Sequence, residues 1–214
     1  MDWSAPTAAL IPGLEGVALY RLYQVKTPQS ATEVHRRAGV GSLNGLRNAL
    51  ERMADQGVVD TIKVGNAIGY RLNEDHVVYP ALAAAFDELD PFGVFTSRLR
   101  MLVEAHFPPG PPTPKVSLAI YGSAARREAS SNSDVDLLIV LPDDALASVR
   151  SDVLTDDLHQ WVPRWTGNTA HVYRTTRSAL AASFRAEEPL TRSWAKDAIT
   201  VTGADVRDLM RASA

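Results

Sequence analysis

Hydrophobic and polar positions change their rhythm twice along this chain. Residues 14–26 carry Val17, Leu19, Tyr20, Leu22 and Tyr23 and predict an apolar-rich helix. Thr27-Pro28-Gln29-Ser30 breaks it, and Ser30 or Thr32 is placed to cap a short helix over 31–38. Gly39-Val40-Gly41 makes a tight turn. Ser42 then caps a third helix that ends near Gln56, with Gly57 as its stop. Leu43, Leu46, Leu50 and Met53 line one face of that helix; Asn44, Arg47, Asn48 and Glu51 line the other. Two short strands follow, 58–63 and 68–72, joined by turn residues that suit a hairpin. Residues 76–89 and 92–107 read as two further helices.

The second change comes at residues 108–114, where five of seven residues are proline. Proline has no backbone N–H to donate to a helix or strand, so an extended, stiff seam is expected here. Beyond it, strands and helices alternate. Strands are predicted at 116–121, 135–141, 170–175 and 199–202, and helices at 143–165, 176–184, 190–196 and 204–212. The expected organisation is therefore a helical domain with a hairpin over 1–75, a helical connector over 76–107, a proline-rich linker over 108–115, and an α/β (α+β) domain over 116–214.

Composition narrows the class. The chain has 214 residues, 45% of them hydrophobic and 22% charged, which is globular rather than disordered. It contains no cysteine, which excludes disulfides and thiolate metal sites. No apolar run approaches the roughly 20 residues that span a bilayer, and residues 1–13 lack the basic start of a secretory signal. The expected location is the cytoplasm, with no membrane partner. Net charge is −3, but residues 15–72 hold eight basic side chains against five acidic ones, a locally basic segment in an acidic chain.

The chemistry concentrates in residues 121–140, YGSAARREASSNSDVDLLIV. Side chains alternate along a strand, so Asp134 and Asp136 share one face, while Val135, Leu137 and Ile139 share the other. Two carboxylates so placed repel each other unless a cation lies between them. Oxygen ligands suit Mg²⁺ or Mn²⁺, with a nucleoside triphosphate completing the coordination. A glycine at a strand end, Gly122, lets backbone approach a phosphate closely. Ser123 offers a hydroxyl and an N–H to an anion, and Arg126 can reach the same phosphate as a charged donor.

Gly122-Ser123, a ten-residue spacer and Ser133-Asp134-Val135-Asp136 entering a strand resemble the DNA polymerase β-type nucleotidyltransferase superfamily, most of all its minimal nucleotidyltransferases, many of which belong to toxin–antitoxin modules. The resemblance covers residue 116 to the C-terminus. It implies a nucleotidyltransferase core with a small mixed sheet, NTP as substrate, Mg²⁺ or Mn²⁺ as cofactor, and transfer of a nucleoside monophosphate to an RNA or protein hydroxyl. The family usually presents a third carboxylate on a neighbouring strand. The matching strand here, 170–175, has none, and His171 stands where the acid is expected, able to serve as a base or a weak ligand. Asp152, Asp156, Asp157, Glu187 and Glu188 are alternative acids that no spacing places in the site. A solvated helix face is the plainer alternative for Arg126 and Arg127, with phosphate binding favoured for Arg126, and the four tryptophans, Trp3, Trp161, Trp165 and Trp194, fit packing roles.

Three helices and a hairpin over residues 14–73 resemble a winged helix-turn-helix. That resemblance implies Ser42, Asn44, Arg47 and Asn48 at a DNA major groove, with Lys63 and Asn66 on the wing near phosphates. Arg36 and Arg37 would add backbone contacts. A winged helix used for protein docking is the plainer alternative. The functional expectation is a nucleotidyltransferase with a DNA-binding module; the alternative is a transcriptional regulator, binding its operator as a homodimer, or an antitoxin-like protein, whose transferase domain is degenerate.

Overall fold

The structure, a computed structural model, describes residues 1–65, 67–110 and 116–212. Asn66, one of the expected wing residues, lies outside the described residues, as does most of the proline-rich run. The chain forms two compact units. One comprises Ala5–Asp90; the other joins Met1–Ser4 to the chain from Pro91 on.

The first unit opens with a single 3₁₀ turn, Pro6–Ala9, and helix α1, Leu14–Gln24. Strand β1, Gln29–Ser30, pairs antiparallel with a strand forty residues on, Gln29 opposite Tyr70. A two-residue strand has no alternation to read, so the sequence pattern shows only the break. Helix α2, Ala31–Ala38, starts at Ser30 rather than Thr32. The Ser30 hydroxyl accepts from the Glu33 N–H, and the Ser30 N–H donates back to the Glu33 carboxylate at 2.8 Å, a reciprocal cap. Gly39, at φ +68°, ends it. Helix α3, Leu43–Asp55, begins with the Gly45 N–H donating to the Ser42 hydroxyl at 3.1 Å and buries Leu46, Ala49, Leu50 and Met53. Strands β2, Val59–Val64, and β3, Ala67–Leu72, form the hairpin, and the sheet order is β1-β3-β2. Helix α4, Tyr79–Asp87, adds Phe86 to this core, with Tyr20 and Tyr23 tilted against its ring.

The second unit begins, after Met1–Ser4, with helix α5, Pro91–His106. The passage between units falls at Asp90–Pro91, upstream of the proline-rich seam. The reason is burial: Phe95, Leu99 and Val103 of α5 lie in the core of the second unit, and Trp3 joins them there at 5% exposure. Four strands make its sheet: β4, Ser117–Tyr121; β5, Val135–Leu141; β6, Ala170–Thr176; and β7, Ile199–Thr202. Their order is β6-β5-β4-β7. The β5–β6 pair is parallel and the other two pairs antiparallel, a small mixed sheet.

The intervening helices are α6, Gly122–Ala125; α7, Val149–Thr166; α8, Arg177–Arg185; α9, Pro189–Asp197; and α10, Val206–Arg211. Helix α7 starts six residues later than its apolar pattern suggests, because the Ser148 hydroxyl caps it by accepting from the Ser151 N–H. Pro163 sits within its last turns, and Gly167 at φ +74° closes it. The sheet is covered on both faces. Leu118, Ile120, Val135, Leu137, Ile139 and Leu141 pack towards α5 and α7. Ala119, Tyr121, Leu138 and Val140 pack against Leu180, Trp194, Val206 and Met210 of α8 to α10. Double coverage explains why β5 reads as an unbroken apolar run after Asp136 instead of alternating.

Candidate functional site

At one end of this sheet, β4 runs into Gly122 and β5 starts beside it. Tyr121, Asp136 and His171 are direct neighbours across β4, β5 and β6. Neighbours in register project from the same face, so all three occupy the face covered by α8 to α10, at its open end.

Gly122 is required twice over. Its φ of +69° lies in the left-handed region. A Cβ there would also stand 2.6 Å from Asp136 Oδ2, inside any permissible contact. The main chain therefore folds directly over the carboxylate. Asp136 is half-buried, its side chain 26% exposed, whereas Asp134 lies exposed just before the strand.

His171 Nδ1 lies 3.2 Å from Asp136 Oδ1. A carboxylate only accepts, so Nδ1 carries the proton and donates it. In the neutral ring this leaves the lone pair on Nε2, and the imidazole is two-thirds exposed. The position expected to hold an acid thus holds a histidine oriented by Asp136. Among the described residues no three His, Cys, Asp or Glu side chains gather as a metal-holding group. Asp134 and Asp136 alone give two carboxylates, a set that suits a divalent cation arriving with triphosphate oxygens better than a cation by itself.

Ser123 follows in α6, a single turn, so a helix macrodipole contributes little to anion binding here; what remains are the first-turn N–H groups without intrahelical partners and the half-buried Ser123 side chain. Arg126 is not directed at an open phosphate position. It donates to Glu128 Oε2 at 2.7 Å and pairs with Asp197, whose side chain is only 7% exposed. Because Ile120 pairs with Ile199, the last residue of α9 arrives at the same sheet end as Gly122. Neither Asp197 nor Glu128 is distinguished in the sequence, and Asp197 lies 71 positions from its partner.

A second residue without a sequence signal is Asn168. It is 1% exposed, and its Nδ2 donates to the carbonyls of Ser130 and Ser133, both at 2.9 Å. It thereby pins the loop that delivers Asp134. An aromatic wall closes the covered side of the site: the Trp194 ring stands 5.9 Å from Tyr121 and 5.1 Å from Tyr173. Burial, reinforced by the charge of Asp136, pushes the Tyr121 hydroxyl above the ordinary phenol value.

In the first unit, Asn44, Arg47 and Asn48 share the exposed side of α3 with Glu51, and Lys63 is exposed on β2. Ser42 is engaged as the cap of α3.

Residues 104–178 match the family model for the nucleotidyltransferase domain. The matched stretch runs from the end of α5 to the start of α8 and contains Gly122, Ser123, Asp134, Asp136, Asn168 and His171. The mixed α/β architecture with its small mixed sheet agrees with a nucleotidyltransferase core, and such a domain points to nucleoside monophosphate transfer as the general chemistry. No curated protein and no solved structure matched the chain. Among the described residues no helix is long and apolar enough to cross a membrane.

Proposed function

We propose that the second unit binds an NTP together with Mg²⁺ or Mn²⁺ and transfers the nucleoside monophosphate to a hydroxyl of RNA or protein. The observation that carries this reading is the folding of Gly122 over Asp136, in register with His171, within the stretch that matches the nucleotidyltransferase domain. Gly122 and Ser123 would bring backbone N–H groups to the phosphates. Asp134 and Asp136 would hold the cation, which neutralises charge on the triphosphate when bound. In the transfer, the acceptor oxygen bonds to the α-phosphorus, the bond to the bridging oxygen breaks, and pyrophosphate leaves. His171 Nε2, on a ring steadied by Asp136, would take the acceptor proton. Arg126, held by Asp197, braces the Gly122-Ser123 turn against α9.

Calorimetry of NTP with Mn²⁺, and label transfer from α-labelled NTP to RNA, a protein partner or the chain itself, test the proposal. Binding that Asp136→Asn weakens at least about tenfold, 1.4 kcal/mol, supports it; absence of both NTP binding and label transfer overturns it.

For the first unit the reading is a winged helix that binds DNA. The order helix, short strand, two helices and hairpin supports it, as does the exposed Asn44, Arg47 and Asn48 face. A regulator whose transferase site does not turn over is the second reading, favoured by the histidine in the acid's place and by Arg126 closed onto Asp197. The two separate by experiment: Arg47→Ala weakens binding to an upstream DNA fragment in either case, but only the regulator keeps its whole activity in Asp136→Asn.

A further inference from the structure

The second unit displays an unusual use of arginine. Arg174 and Arg192 are paired with carboxylates, as is Arg126. Four others lie over aromatic rings instead. Arg127 stands 4.9 Å from the centre of Phe92, Arg98 5.8 Å from Trp165, Arg164 5.8 Å from Trp161, and Arg150 5.8 Å from Phe107. All four are exposed, and among the described residues none has a carboxylate partner. All four rings belong to α5, to the residue just after it, or to α7.

These contacts define one seam. Arg98 and His106 on α5 meet Trp165 and Asp157 on α7, so the two helices run antiparallel with Trp161 between those contacts. Trp161 and Trp165 stack at 6.1 Å and 23°, and both remain partly exposed, unlike the buried Trp3 and Trp194. The acid on the seam, Asp157, is held by His106 at 2.7 Å. Helix α5 has 16 residues, so the seam is about 24 Å long. One end carries Arg127, the next residue after Arg126 of the site turn.

We infer that the α5–α7 seam, on the sheet face opposite the one that carries Asp136, is a track for single-stranded RNA. Guanidinium groups free of carboxylates, on a chain of net charge −3, call for a polyanion. Interleaved, partly exposed indoles call for one with unpaired bases, since stacking rings on a cationic surface is how single strands are held without sequence readout. Duplex DNA, with its bases already stacked, cannot use the tryptophans.

Anisotropy of a labelled oligouridine of about 12 nucleotides, a length within single-strand footprints, tests the track on the full chain. NTP–Mn²⁺ binding is measured in parallel. The expected result is binding that Trp161→Ala weakens about tenfold and Trp161→Phe largely restores. Arg98→Ala/Arg164→Ala, confined to exposed groups, is expected to lower the salt slope by about 1.4, or 0.7 per phosphate contact. NTP binding stays unchanged in each variant. The inference is overturned if oligouridine does not bind at low salt, if the variants bind it like the parent chain, or if polyglutamate or duplex DNA displaces it equally well. Loss of NTP binding in the parent chain with RNA binding intact overturns the transfer reading and leaves the track; the converse leaves the transfer reading and removes the track.

Discussion

Replacing Gly122 by alanine perturbs the site through two separable costs. The first is conformational: at φ +69° an L-residue with a Cβ costs about 1–2 kcal/mol. The second is steric, because the new methyl would stand 2.6 Å from Asp136 Oδ2, so either the turn or the carboxylate must move. Gly39 separates the two. It has nearly the same φ, +68°, but nothing within 4 Å of its would-be Cβ. Gly39→Ala is therefore expected to lose about 1–2 kcal/mol and to bind NTP–Mn²⁺ normally. Gly122→Ala is expected to lose about 2–5 kcal/mol, with overpacking adding to the backbone term, and to bind NTP–Mn²⁺ at least about tenfold more weakly. Urea denaturation followed by circular dichroism reads the first quantity and calorimetry the second. If Gly122→Ala matches Gly39→Ala in both, Asp136 is free to turn away, and the close approach of backbone to carboxylate is not what shapes this site.

Four further outcomes follow from the same geometry. Asn168→Ala strips the Ser130 and Ser133 carbonyls of their donor and is expected to cost about 2–3 kcal/mol by denaturant titration, with weaker NTP–Mn²⁺ binding because the loop before Asp134 loosens; unchanged binding would detach that loop from the site. Arg126→Ala leaves Asp197 inside the fold without its cation, so it should lower the denaturation midpoint more than the double variant with Asp197→Asn, and an additive pair would show that the contact carries no coupling. Ser42→Ala removes the α3 cap and is expected to lose about 1 kcal/mol of stability, while DNA affinity measured under fully folded conditions changes little. The Tyr121 hydroxyl is raised above 10 by burial and by Asp136, so the folded state holds this proton longer than the unfolded chain; stability is then complete below pH 10 and falls as pH rises beyond it. Thermal melts in alkaline buffer should show a shallower decline for Tyr121→Phe, and an identical decline would remove Tyr121 from the account.

The sequence alone determined what is local. A left-handed turn needs glycine, so Gly39 and Gly57 mark helix ends, and hydroxyls before apolar periods mark helix starts, as at Ser30 and Ser42. These features depend on a few adjacent residues and so survive without coordinates. The tertiary structure decided everything that joins distant residues: His171 onto Asp136 across 35 positions, Asp197 onto Arg126 across 71, Asn168 beneath the Ser130–Ser133 loop, and β1 against β3. It also moved the boundary between units from the proline run to Pro91, since α5 buries Phe95, Leu99 and Val103 in the core that follows it. Proline marks where regular hydrogen bonding stops; only packing shows which core a helix completes. The aromatic seam of α5 and α7 belongs with these, because the spacing of Trp161 and Trp165 is equally that of a buried helix stripe, and exposure is a property of the fold rather than of the spacing.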